Sequence, residues 1–363
     1  MLNFTSALYL GLYHPLESLR PWKQYTLGTP AALSQSPIAL TVAKKLAELQ
    51  GLQRATLGSS TFHLFWDLFG ILAKKNIAIY LDKGAYPIAK WGVERAAASV
   101  SVKTFRHHDS NLLRKQIHRA RKTGKRPIIV TDGFCPICGT AAPLADYLTI
   151  IRQFGGYLVI DDTQALGILG CDPTAHNPYG LGGGGSLQWH DIQDPCIINI
   201  SSMAKGFGVP IAALSGSDKF VRQFEADSDT RVHSSPPSIA DIHAAEHALK
   251  VNRAKGDILR KRLARNVTQF SNYLHDVDIR NQGGFFPVQV LSVLKNNAEH
   301  IHKRLRQCGL ATVLQQSCAG QKPCISFVIT ARHEADRIDN AVYVVNRVFS
   351  EVENDACIIV SRN

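Results

Sequence analysis

The chain lacks any apolar run of the roughly 18–20 residues that a membrane-spanning helix needs; the greasiest stretch, residues 57–73, is interrupted by Ser59, Ser60, His63 and Asp67. Membrane spanning is therefore not expected. Acidic residues are also scarce: 29 Asp and Glu against 41 Lys and Arg leave a formal charge of +12. Such a charge favours association with an acidic partner, a nucleic acid, a phosphorylated cofactor or an acidic carrier, and says nothing about fold. The first residues, MLNFTSALYLGLYHPLESLR, have no basic segment ahead of their apolar residues and no small-residue cleavage site, so a signal peptide is not expected and the reading is cytoplasmic. Internal repeats are absent. Low complexity is confined to the glycines at 182–185, read as a mobile loop, because a phosphate cradle needs a strand before it and a helix after it. With 45% hydrophobic and 19% charged residues, the composition excludes disorder as the main state.

A second C-x-x-C is missing as well. Most of the eight cysteines, among them Cys196, Cys308, Cys324 and Cys357, fall in apolar segments and are expected as buried thiols of a reducing compartment, not as a disulfide framework. Cys135-Pro-Ile-Cys138 has the spacing of half a zinc site or of a redox pair. No partner motif follows and no thioredoxin-like pattern surrounds it, so it reads as a plain loop and no metal is expected.

What is present is an alternation of strand and helix patterns. Pro127-Ile-Ile-Val-Thr131 is a short β-branched run, and Leu144, Leu148 and Ile151 then recur at helical spacing until Gly155-Gly156. Tyr157-Leu-Val-Ile160 ends in Asp161-Asp162, and Cys196-Ile-Ile-Asn-Ile200 ends in Ser201-Ser202. Continuous apolar strands separated by helices predict an α/β fold with a large, mostly parallel sheet covered on both faces, with sites beyond the carboxyl ends of its strands. After about residue 240 a long basic helix (243–274) leads to the Gly283-Gly284 turn, a helix at 298–308, a strand at 324–330 and a last helix striped by Ile338, Val342, Val345 and Phe349. The expected organisation is an N-terminal segment (1–50), a large domain (51–240) and a smaller C-terminal α/β domain (241–363).

Three strand ends carry chemistry: Val130-Thr-Asp-Gly-Phe, Val159-Ile-Asp-Asp-Thr-Gln-Ala-Leu-Gly167, and Ser201-Ser-Met-Ala-Lys-Gly-Phe-Gly208. Lys205, just past a buried strand and between a hydroxyl pair and a Gly-x-Gly turn, is placed for a depressed pKa and imine chemistry. The plainer alternative is a lysine snorkelling at a loop, and Asp161 alone could cap a turn. Arg114, Lys115, Arg119, Arg121, Lys122, Lys125 and Arg126 crowd one segment without interleaved aromatics, which reads as a solvated face or a surface for an acidic carrier and not as a nucleic-acid site.

Taken together these segments resemble the α-oxoamine synthases, the pyridoxal 5'-phosphate (PLP) enzymes that include 8-amino-7-oxononanoate synthase. Ile-Asp161-Asp162-Thr-Gln164-Ala-Leu-Gly-Ile-Leu-Gly170 is similar to their V-D-E-A-H-x-x-G-x-x-G, and Ser202-Met-Ala-Lys205-Gly-Phe-Gly to their T-x-G-K-[AG]-[FL]-G. Leu8-Tyr-Leu-Gly-Leu12, Phe105-Arg-His-His-Asp109, Thr131-Asp-Gly133 with Ala142-Pro-Leu144, and Ser234-Ser-Pro-Pro237 follow the same order along nearly the whole chain. The resemblance implies a fold-type-I PLP transferase. Lys205 would hold PLP as a Schiff base and serve as the proton-transfer base, and Asp161 would pair with the pyridine nitrogen. Tyr86 would stack on the ring, Ser60, Thr61 and Ser202 would bind the phosphate, and Ser234 would reach the phosphate of a neighbouring subunit in a homodimer.

The departures fall in the substrate pocket. Gln164 stands for the family's histidine at the cofactor's phenolic oxygen, Pro136 for a serine, Ala7 for an asparagine, and Leu314 for the arginine that grips the amino-acid carboxylate. The reaction implied is condensation of an amino acid or amine with an acyl thioester, carried on coenzyme A or an acidic carrier protein, in an altered pocket. Either another cation, Arg332 or Arg306, replaces the missing arginine, or the substrate has no free carboxylate there. An aminotransferase and a PLP-binding protein with diverged or lost activity are the alternatives.

Overall fold

A computed structural model gives the fold; it describes residues 1–277, 279–291, 297–316 and 323–360, the side chains of 353–360 excepted. Seven strands form the main sheet: β1 (Arg54–Gly58), β2 (Ile77–Asp82), β3 (Ser101–Phe105), β4 (Arg126–Asp132), β5 (Tyr157–Asp161), β6 (Ile197–Ser202) and β7 (Ala212–Gly216), in the spatial order β1-β7-β6-β5-β4-β2-β3. Strand β7 runs antiparallel to β1 and β6, and the remaining neighbours are parallel. The strands alternate faces as their pleat requires. Ile128, Val130, Val159 and Ile198 join the core beneath the helices α2 (Thr61–Leu72) and α3 (Pro87–Ala97), while Ile129, Leu158 and Ile160 join the core beneath α4 (Ser110–Ala120) and α5 (Leu144–Phe154). Each such fully buried side chain contributes about 1.5–3 kcal/mol, which is why these strands read as unbroken apolar runs.

Helix ends follow from local chemistry. Ser36 caps α1 (Pro37–Gln50) by accepting from Ala39 N, with Pro37 in the first turn and Gly51 closing it. Asp109 caps α4 by accepting from Leu112 N at 2.9 Å. Helix α4 buries only Leu113 and Ile117, and the seven basic residues of the 114–126 segment are exposed.

The second sheet has the order β8-β9-β11-β10, with β8 at Asn281–Gln282, β9 at Val288–Leu291, β10 at Val313–Gln316 and β11 at Pro323–Val328, antiparallel throughout. It packs with α10 (Ala298–Gln307) and α11 (Ala335–Val360). The chain's start belongs to this unit: Leu2 and Asn3 pair parallel with Leu310 and Ala311, Phe4 is buried, and Ala331 N donates to Tyr9 O at 2.8 Å. After the short helices α7 (Asp218–Asp227) and α8 (Asp229–His233), helix α9 (Ile239–Asp276), 38 residues and roughly 57 Å at 1.5 Å per residue, ties the two sheets together. Its buried Arg260 donates to Gly167 O at 2.9 Å beside the main sheet, and its Asn266 donates to Thr330 O and His333 O in the smaller unit.

Two sequence readings are corrected. The glycines at 182–185 are not a mobile loop: Gly183, Gly184 and Gly185 are buried, and Gly183 O accepts from Gly167 N at 2.8 Å. A Cβ at Gly184 would run into Leu49 O, so close backbone approach explains the run. Helix α6 (Ser186–Trp189), one turn long, follows directly. Cys196, Cys308 and Cys324 are half-buried and not buried, since they stand at element ends: before β6, after α10, and near the start of β11. The Cys357 side chain lies outside the described residues. No helix among the described residues is long and apolar enough to cross a membrane.

Candidate active site

The carboxyl ends of β4, β5 and β6 bring three charged side chains together. Asp132 and Asp161 are register partners at the last positions of the parallel strands β4 and β5. Lys205 follows β6 in the turn that Met203 closes by donating to Ile211 O at 2.8 Å and accepting from Phe207 N at 3.1 Å. Asp161 is only 5% exposed, and burial raises its pKa; hydrogen bonds from Thr163, whose N–H lies 3.0 Å from Oδ1, and the charge of Lys205 pull it back. Asp132 is raised well above the carboxylate range by burial and by the Asp161 charge. Burial lowers the Lys205 pKa, partly offset by Asp161 and Asp132, so the amine is predisposed to its neutral, nucleophilic form.

Thr163 joins the two halves of this cluster. Its backbone N–H holds Asp161, and its Oγ1 accepts from Ser202 N at 3.1 Å, which fixes the strand end leading to Lys205. Ser202 Oγ accepts from Ala204 N at 3.2 Å, leaving its proton for another acceptor. Tyr86 comes from the β2–α3 turn. Its N–H donates to Asp132 Oδ1 at 3.0 Å, its ring is 49% exposed, and Lys205 Nζ stands 5.5 Å from the ring centre. A shielded amine between an aromatic face and a buried carboxylate is an arrangement for a planar, carbonyl-bearing ring.

Ser60 and Thr61 lie at the start of α2, directly after β1. Ser60 caps the helix toward His63 N, and its Oγ is 2.8 Å from His63 Nδ1. A helix N-terminus presents free N–H groups and a positive dipole end to an anion. Ser234 borders this same end within its own chain, in a small cavity lined also by Ser59 and His63, and its hydroxyl donates to Thr230 O at 2.5 Å. Gln164 Oε1 accepts from the hydroxyl of Tyr9 at 2.6 Å; Tyr9 is buried, and burial pushes its phenol pKa up.

Asp132, Thr163 and Tyr9 are members of the site that the sequence reading did not single out as site residues. Asp132 had a visible signal, since it ends an apolar strand as Asp161 does. Tyr9 lies in the quoted Leu8-Tyr-Leu-Gly-Leu12 segment, but its contact with Gln164, 155 residues on, left no local trace.

Of the pocket departures, Leu314 sits on edge strand β10, opposite Ile325 and 37% exposed. Residues 317–322 lie outside the described residues. Arg332 is engaged with the N-terminal strap: its Nε donates to Gly11 O at 2.5 Å and its guanidinium covers the Tyr13 ring. Arg306 is exposed on α10.

No family model matches the sequence. Among solved structures, the chain is similar to a serine palmitoyltransferase from S. paucimobilis, a lysine-to-alanine variant with a bound PLP–myriocin aldimine, at a TM-score of 0.82 and 16% identity over 96% of this chain and 87% of that one. It is similar to the 8-amino-7-oxononanoate synthase of Francisella tularensis at a TM-score of 0.74 and 17% identity, over 97% and 98% of the two chains. Serine palmitoyltransferase from Sphingomonas wittichii matches at 0.78 and 16%, over 94% and 86%. These likenesses establish that the chain has the α/β fold of these synthases over almost its full length.

Proposed function

We propose that this chain is a PLP-dependent acyltransferase that condenses an amino acid or amine with an acyl thioester, as a homodimer in the cytoplasm and in a biosynthetic role. The observation that carries the reading is the convergence of Lys205, Asp161 and Tyr86 at the carboxyl ends of adjacent strands in the fold of the α-oxoamine synthases.

The residues fit the cofactor. Asp161, the last residue of β5, is a buried carboxylate whose raised pKa a pyridinium N–H would relieve. Tyr86 offers an exposed ring face toward Lys205. Ser60, Thr61 and the free N–H groups of α2 offer donors to a phosphate, and the Ser202 hydroxyl adds one from beside the lysine. When bound, PLP supplies an electron sink for negative charge developing on the substrate carbon.

The protein's own groups do the rest. Lys205, its amine pKa lowered by burial, would hold the cofactor and would take and return the proton at the substrate α-carbon. Asp161 would hold the proton on the ring nitrogen. Gln164, its Oε1 held by Tyr9, keeps its amide N–H groups as donors and would offer one to the phenolic oxygen in place of an imidazole, a hydrogen bond without acid–base capacity. The basic surface, with the exposed 114–126 segment, suits an acyl donor on coenzyme A or an acidic carrier. Leu314, where the resemblance implies a carboxylate-binding arginine, fits a substrate that presents an amine or a carrier-bound aminoacyl group.

The test is incubation of the PLP-loaded protein with a panel of amino acids, amines and acyl thioesters. Thiol release dependent on both substrates is expected. Keto-acid formation would mark an aminotransferase instead, and neither product would mark a PLP-binding protein without this activity.

A further inference from the structure

Spacing alone reads Cys135-Pro-Ile-Cys138 as a loop, but the fold adds a tight hairpin and a histidine. Phe134 pairs with Ala141 and Cys135 with Thr140 in antiparallel register, and Gly139 N donates to Cys135 O at 2.9 Å. Gly139 has φ +69°, and a Cβ there would meet Gly283 Cα at 2.6 Å, so the turn requires glycine. The two residues after β3 carry His107 to this hairpin. The ligand atoms of His107, Cys135 and Cys138 all lie within 4.8 Å of one another, and His107 Nε2 is 3.5 Å from Cys138 Sγ.

The other face of the imidazole is held. His107 Nδ1 lies 2.8 Å from Asp82 Oδ1, and Asp82, fully buried, also accepts from Gly84 N at 2.7 Å and His108 N at 3.1 Å. A carboxylate fixed on Nδ1 sets the tautomer that leaves the Nε2 lone pair for a metal, the outer-shell arrangement of zinc-binding histidines. We propose that Cys135, Cys138 and His107 bind a zinc ion, with Asp82 as the outer carboxylate and water in the fourth tetrahedral position. The His108 ring lies beside that of His107, centres 3.7 Å apart and planes tilted by 32°, and its Nδ1 is 3.2 Å from Thr140 Oγ1. Its Nε2 is buried with no hydrogen-bond partner among the described residues, a polar atom left for the metal-bound water. The ion would pin the hairpin to the ends of β2 and β3, next to the turn that carries Tyr86.

The test uses the full chain, reduced and stripped of metal, titrated with cobalt(II) and then with zinc. One cobalt per chain is expected, with thiolate-to-cobalt charge-transfer absorption and visible bands of tetrahedral intensity, both abolished by one equivalent of zinc. Cys138→Ser should weaken binding by at least tenfold and reduce the charge-transfer band of any bound cobalt to that of a single thiolate, and Asp82→Asn should weaken binding on the order of 10–100-fold. Lys205→Ala should leave metal binding unchanged, which separates this site from the PLP reading. Failure of the reduced wild-type chain to bind cobalt or zinc stoichiometrically would overturn the proposal, as would binding indifferent to Cys138→Ser. Ready formation of a Cys135–Cys138 disulfide without metal uptake would assign the pair to redox chemistry instead.

Discussion

Asp132 and Asp161 stand opposite each other at the ends of two parallel strands, yet they hold different things: Asp132 accepts the backbone N–H of Tyr86, and Asp161 accepts that of Thr163. The first positions the ring-bearing turn, and the second lies on the lysine's side of the cluster. Asp161→Asn removes a charge-assisted hydrogen bond worth about 1.5–3 kcal/mol, so PLP affinity should fall by roughly 10–150-fold. Asp132→Asn keeps an oxygen acceptor for Tyr86 N and should change affinity by less than about fivefold, within the weight of a single neutral hydrogen bond. Fluorescence titration with PLP measures both, and equal losses would contradict the division of roles.

Leu314 gives a prediction about the substrate. In the proposed function Leu314 takes the place of a carboxylate-gripping arginine, so glycine and alanine should bind weakly. Leu314→Arg should strengthen their binding by roughly 10–150-fold, the value of a hydrogen bond to a charged group. Spectral titration of the PLP-loaded protein with each amino acid checks this, and an unchanged affinity in the variant would place the carboxylate elsewhere.

Asp162 makes stability depend on pH. It is fully buried and its pKa is pushed up to about 7 by burial, against hydrogen bonds from the Ser186 hydroxyl at 2.5 Å and the Ser186 N–H at 3.0 Å. The folded value lies above the unfolded one near 3.9. The folded chain therefore binds this proton more tightly, and the group's contribution is greatest below the unfolded value. It is lost as pH rises from about 4 through 7 and is flat above that. The melting temperature of the wild type relative to Asp162→Asn should decline across this window. Parallel curves for the two proteins would show that Asp162 carries no raised pKa.

Much of the scaffold was legible because its strands are buried on both faces, so that residues 127–131, 157–160 and 196–200 read as apolar runs whose polar ends mark the candidate site. Lys205 and Asp161 follow from that grammar. Long-range contacts left no local trace. The Tyr9–Gln164 hydrogen bond joins residues 155 apart, and His107 reaches Cys138 only because β3 and the hairpin end at the same rim of the sheet. The glycines at 182–185 misled because composition cannot separate a loop that needs freedom from one that needs backbone to approach backbone. Arg332 showed the limit of charge counting: its guanidinium is occupied by Gly11 and Tyr13 on the N-terminal strap.

The most direct test of the central claim is reduction of the PLP-loaded chain with borohydride, followed by mass mapping of the labelled peptide. The account predicts an absorbance band at the visible edge that reduction abolishes, with the pyridoxyl mass on Lys205, and neither in Lys205→Ala. A reducible link of equal yield in Lys205→Ala, or a label on another lysine in the wild type, would contradict it.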